Sequence, residues 1–125
     1  MPIIRIEALV ATSPVVEPML NEVSRAAAAA FDAHPRHFWV TFTALRAGHY
    51  LEGGHVRGID DAHRVAPLVT ISSYEGRSDE QIGDCLRAVA YAVGKHLNLD
   101  PELVFVEYHE LRPGRVYTGG AVRTE

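Results

Sequence analysis

Apolar and polar positions alternate at the start of the chain, with Pro2, Ile4, Ile6 and Ala8 on one side and Arg5 and Glu7 on the other. A period of two predicts a half-buried strand over 2–9 with Pro2 on its apolar face. The spacing then lengthens. Leu20, Val23, Ala27, Ala30 and Phe31 recur three and four positions apart, which predicts a helix over 13–33 or 17–33, starting at Ser13 or Glu17. Pro14 and Pro18 suit only its first turn. The alanines at 26–30 favour helix strongly and let it approach a sheet closely. Pro35 disfavours helical geometry at His34 and ends the element. The strand period returns over 37–44, with Phe38, Val40 and Phe42 on one face, followed by a hairpin through Gly48, Gly53 and Gly54. A polar, Gly-containing connector occupies 55–66.

The second half has the same rhythm. A strand over 67–74 runs into Glu75-Gly76-Arg77-Ser78, a turn and helix start. Ser78 with Gln81 forms a capping box, and Asp79 and Glu80 suit the positive end of the helix. Ile82, Cys85, Leu86, Val89, Val93 and Leu97 hold helical spacing. A turn over 98–102 and a strand over 103–110 follow. LRAGHYLEGG at 45–54 and LRPGRVYTGG at 111–120 share Leu-Arg-x-Gly and a terminal Gly-Gly, 66 positions apart. The same offset pairs Phe38 with Val104, Val40 with Val106 and Phe42 with Tyr108.

These repeats, over about 2–54 and 67–120, read as an internal duplication within one domain spanning 1–125. A crossover helix makes the two long strands of each unit parallel. The expected fold class is α+β: tandem β-α-β units forming a four-stranded mixed sheet, two helices on one face, and short hairpins. The other face is left open, and symmetric self-association is the natural way to cover it.

Composition narrows the class. At 125 residues and 47% hydrophobic content the chain can build one core. A net charge of −4 with interspersed signs gives no nucleic-acid footprint. No apolar run reaches bilayer length, and no basic region with an apolar segment opens the chain. The expectation is a cytoplasmic domain without nucleic-acid or membrane partners. Cys85 is the single cysteine, so no intrachain disulfide forms, and its place on the apolar stripe makes it core rather than nucleophile. His34 and His37 lack the Cys or acidic partners of a zinc site, and neither a metal nor a cofactor is expected.

The candidate chemistry lies at Pro2. A Met-Pro start normally leads to loss of Met1, which turns Pro2 into a secondary amine. An α-amino group titrates near pH ~8, and burial or a nearby cation lowers that value. Such an amine is a credible general base. A retained Met1 would leave an amide with no basic nitrogen.

With Pro2, the duplication and Glu75-Gly76-Arg77-Ser78 together, the chain resembles the tautomerase superfamily, whose members begin with a catalytic proline. Within it the chain is most similar to the group of cis-3-chloroacrylic acid dehalogenase. Asp32-Ala33-His34, His37-Phe38, Ala47-Gly48 to Gly53-Gly54 and the last strand carry this likeness, while the stretch from Ser13 to Leu20 departs from it. The resemblance implies a tautomerase fold like that of macrophage migration inhibitory factor, assembled as a homotrimer. It implies Pro2 as the proton shuttle, Arg77 as the grip on a substrate carboxylate and His34 as a substrate contact.

Three further family positions fall on Tyr74, Glu107 and Thr118. There the family has, respectively, an arginine, a tyrosine and the acid that activates water in the dehalogenases. Losing that acid weighs against hydration chemistry but not against proton transfer. Phe38, Trp39 and Tyr108 are candidates for an apolar wall. The reaction expected is keto–enol or allylic proton transfer on a small 2-oxo or enol carboxylic acid. The alternatives are a dehalogenase or decarboxylase of the superfamily acting on small unsaturated acids, or a non-enzymatic trimeric binding module.

Overall fold

The computed structural model describes residues 1–12 and 14–124; the expected helix start at Ser13 lies outside them. Each half of the chain contributes the same series of elements. The first has strand β1 (Ile3–Leu9), helix α1 (Val16–Ala30), a short 3-10 turn (Pro35–His37), strand β2 (Trp39–Leu45) and a hairpin of β3 (Leu51–Glu52) and β4 (His55–Val56). The second has β5 (Leu68–Tyr74), α2 (Asp79–Leu97), a 3-10 turn (Pro101–Leu103), β6 (Phe105–Leu111) and a hairpin of β7 (Tyr117–Thr118) and β8 (Ala121–Val122). From the turn before β2 onward the two series match at the offset of 66 read from the sequence.

The main sheet runs β2-β1-β5-β6. The outer pairs are parallel, as a crossover connection through a helix allows. The two halves meet along an antiparallel β1–β5 seam, with Ile4 opposite Ile71 and Ile6 opposite Val69. Those four residues form the floor of the core. Met19, Val23, Ala27, Ala28 and Phe31 from the first helix region and Cys85, Val89, Ala92 and Val93 from α2 pack onto it. The structure is thus the α+β mixed sheet with two helices on one face and short hairpins. The opposite face carries polar side chains and two large exposed aromatics at matching positions, Trp39 (49% exposed) and Phe105 (54%).

Some boundaries differ from expectation. Helix α1 stops at Ala30, and Phe31 caps it. Asp32 then takes a left-handed conformation, φ 51°, so the chain leaves the helix before Pro35 can act on it. Its buried stripe is Met19, Val23, Ala27 and Ala28, while Leu20 and Ala30 sit at the edge. Both edge strands start later than their alternation suggested, because a Pro-initiated 3-10 turn takes up the residues before each. Helix α2 begins as read, with Ser78 Oγ accepting from the Gln81 N–H at 3.1 Å and Gln81 Oε1 accepting from the Ser78 N–H at 3.1 Å. The connector holds a 3-10 turn over Ile59–Arg64. Among the described residues, no helix is long and apolar enough to cross a membrane.

Candidate active site

Met1, Pro2, Ala33, His37, Phe38 and Arg77 line a cleft of about 260 Å³ at the start of β1. Three parts of the fold converge there. Pro2 is buried immediately before the first central strand, its carbonyl accepting from the Trp39 N–H at 3.0 Å. The link between α1 and β2 supplies Ala33, His37 and the nearly buried Phe38. Arg77 comes from the other half. Gly76, at φ 120°, turns the chain out of β5 and into α2 in a conformation that side-chain-bearing residues rarely adopt.

The electrostatics are one-sided. Arg77 Nη1 donates to the Phe31 carbonyl at 2.8 Å, and its guanidinium lies 4.5 Å above the Phe31 ring. Among the described residues no carboxylate pairs with it. The α-amino group of Met1 is held below its ordinary range, first by burial and then by the Arg77 charge. Both effects disfavour the ammonium form. The cleft therefore sets an unpaired cation beside an amine biased toward its neutral, basic state.

Of the residues singled out from sequence, the structure brings Pro2, Phe38 and Arg77 together and places the others outside the lining of this cleft. His34 is exposed, and its Nδ1 accepts from the Arg36 N–H at 3.1 Å, capping the short turn. Trp39 and Glu107 stand on the open face of the sheet, with Glu107 Oε1 3.3 Å from His109 Nε2. Tyr74 ends β5 opposite Leu111, and Thr118 pairs with Ala121 in the last hairpin.

Tyr108 lies on the helix side of β6, its ring edge-on to Phe31 at 6.1 Å. Its hydroxyl is buried, and that burial pushes the phenol above its usual range, with the nearby Ser73 hydroxyl acting in the opposite sense. Cys85 is fully buried, and that burial pushes its thiol up to about 12, out of reach of nucleophilic chemistry.

His37 lines the cleft, although the sequence reading places His34, and not His37, among the site residues. The only local signal was Pro35, which starts the turn that aims position 37, rather than 34, at the cleft. Among the described residues, no group of three or more His, Cys, Asp or Glu side chains could hold a metal ion.

No protein-family model matches the chain. A probable tautomerase of Staphylococcus epidermidis is 32% identical over 59 residues, which is 47% of this chain and 97% of that protein. The relative is therefore about as long as one of the two repeats. Solved structures cover nearly everything. Pt0534 inactivated by 2-oxo-3-pentynoate matches with a TM-score of 0.83 at 19% identity, over 98% of this chain and 95% of that one. A fused 4-OT in an asymmetric trimer gives 0.83 at 15%, over 96% and 94%. N1, a member of the cis-3-chloroacrylic acid dehalogenase family, gives 0.76 at 19%, over 98% and 84%. A duplicated β-α-β sheet with a cation beside the chain start defines the class. The chain belongs to the tautomerase superfamily.

Proposed function

We propose that this chain is a cofactor-free tautomerase that moves a proton between positions of a small 2-oxo or enol carboxylic acid, with Pro2 as the acid–base group. The observation that carries this reading is Arg77, a guanidinium without a carboxylate partner among the described residues, in the same cleft as the first two residues. Its free N–H donors bind the substrate carboxylate, best as a bidentate pair. With Met1 removed, the neutral Pro2 nitrogen takes a proton from the carbon beside the carbonyl. The C–H electron pair becomes the C=C bond, and the carbonyl pair moves to oxygen as the enolate forms. The positive charge of Arg77 stabilises that developing anion. The prolinium then returns the proton to carbon or oxygen, completing the isomerisation without hydride, water or metal.

Two comparisons support the substrate class. A relative is named a probable tautomerase, and a protein of the same fold is inactivated by a compound that is itself a 2-oxo acid. The trimeric fused 4-OT and the open sheet face support action as a homotrimer, each copy covering the face of another.

Intact mass followed by ketonisation of enol phenylpyruvate tests the proposal. The expected result is a mass lacking Met1, with turnover that collapses in Pro2→Ala and falls in Arg77→Ala. A processed protein that ketonises nothing, or whose Pro2→Ala variant is as fast as wild type, would overturn it.

A further inference from the structure

We propose that Phe31 is a positioning residue for Arg77, using its backbone carbonyl and its ring to fix the plane of the guanidinium and leave one edge free for the substrate. The inference rests on the carboxylate-binding role proposed for Arg77. It begins with a helix end. In a continuing helix the carbonyl of Phe31 would accept from the N–H of residue 35, but residue 35 is proline and has none. The chain has in any case turned away at Asp32. The Phe31 oxygen is thus one of the terminal carbonyls that a helix leaves unsatisfied, at its negative end. Arg77, 46 positions further along the chain, satisfies it at 2.8 Å.

The ring makes the second contact. It lies under the guanidinium at 4.5 Å, a cation–π distance. It cannot easily move, because Phe31 is only 2% exposed. Phe38 packs against it at 6.1 Å, tilted by 33°, and Tyr108 meets it edge-on at 6.1 Å and 88°. A planar cation held by one corner and one face has little rotational freedom left. Nη1 is engaged, so the remaining N–H groups present a fixed edge. Such an edge suits the two oxygens of a carboxylate, where a lysine would offer only a point charge. Phe31 is absent from the cleft lining. It acts through Arg77, and it ties the helix end of one repeat to the strand–helix turn of the other.

The experiment replaces Phe31 with 3,4,5-trifluorophenylalanine, which nearly keeps the size of the ring while draining its negative face, and alongside it makes Phe31→Leu. Turnover of phenylpyruvate is compared with that of its methyl ester, which has no carboxylate. The expected result for the trifluoro protein is a KM for the acid raised roughly 3- to 30-fold, the range of a lost cation–π contact. Its kcat should stay within about twofold, and its ester kinetics should not change. Phe31→Leu should show the same acid-specific rise.

A ring that only fills the core would leave the trifluoro protein like wild type on both compounds and would make Phe31→Leu alter acid and ester alike, and either result overturns the proposal. Arg77→Ala separates the two levels. If it abolishes the preference for acid over ester while the trifluoro protein retains it in full, the role of Phe31 fails alone. If Arg77→Ala keeps the preference, or wild type turns over neither compound, the carboxylate site fails and this inference with it.

Discussion

Pro2 and Pro67 hold the same place in the two halves of the sheet. Each immediately precedes a central strand, and the carbonyl of each accepts at 3.0 Å from the first residue of its parallel edge strand, Trp39 and Phe105 respectively. Both side chains are buried. The difference is covalent. Pro67 sits inside the chain as a tertiary amide, whereas Pro2 is one peptide bond from a free amine. If the proline matters only for packing, the two should behave alike. Under the proposed mechanism Pro2→Ala should lower kcat by at least about 100-fold, the scale of general acid–base catalysis. Pro67→Ala should leave kcat within about twofold and lower stability by about 1 kcal/mol, as ordinary core changes do. Steady-state ketonisation and urea denaturation of both variants read this directly.

Under the proposed mechanism Arg77 also sets the pH at which the Pro2 amine works. The base is active when neutral, so kcat/KM rises with pH through the amine pKa of the free enzyme. The Met1 α-amino group in the same cleft is held down by burial first and by Arg77 second, and under the proposed mechanism the same two causes act on the Pro2 amine that loss of Met1 exposes. Removing the cation lifts one of the two causes, so Arg77→Ala should move the acid limb to higher pH, toward but not reaching the ordinary value of ~8. Arg77→Lys retains the charge and should leave the limb near its wild-type place while raising KM. A pH profile of kcat/KM for the three proteins checks both signs, and a limb unmoved in Arg77→Ala would refute the coupling.

The parts of this site that were legible in the sequence are those fixed by local chemistry. Helix α2 starts where its capping box puts it, because Ser78 and Gln81 satisfy each other's backbone groups within one turn. The duplication fixed the parallel pairing of both edge strands, and strand alternation placed Pro2 on the buried face. The end of α1 was not legible. Its stop depends on Asp32 adopting φ 51°, which aspartate tolerates but does not demand, so the proline further on looked like the breaker. That shift explains the histidines. With the chain turned at Asp32 and a 3-10 turn begun at Pro35, His34 becomes an exposed cap and His37 lines the cleft. The grip of Phe31 on Arg77 joins residues in different repeats, and no spacing pattern within either one encodes it.

The open sheet face offers a separate test. Trp39 and Phe105 begin the two edge strands, 66 positions apart, and each exposes about half of its surface. Large exposed aromatics at equivalent positions suit an interface between copies, where they would be desolvated. Sedimentation equilibrium should give about three times the 13.7 kDa chain mass for wild type and a monomer for Trp39→Glu combined with Phe105→Glu. Neither side chain reaches into the core from that face, so circular dichroism should report an intact fold. An assembly that survives both glutamates would mean that copies associate through another surface.

The two glycines inside α2 should respond to alanine in opposite directions. At Gly83 a new Cβ would lie 3.4 Å from the end of the Arg87 side chain, which is exposed, paired with Asp84 and free to swing. Helix propensity then dominates, and Gly83→Ala should stabilise by about 0.5–1 kcal/mol. At Gly94 the Cβ would meet the Leu99 carbonyl oxygen at 2.9 Å and Pro101 Cα at 3.1 Å. Both are backbone atoms in the turn that leads α2 into β6, and neither can yield without moving the strand. Overpacking of this kind costs about 1–3 kcal/mol, more than the propensity gain returns. Gly94→Ala should therefore destabilise by about 1–2 kcal/mol net. Urea midpoints at constant m-value decide it. A stabilised Gly94→Ala would show that the turn at Pro101–Leu103 can shift, and that the close approach of helix to turn does not fix where β6 begins.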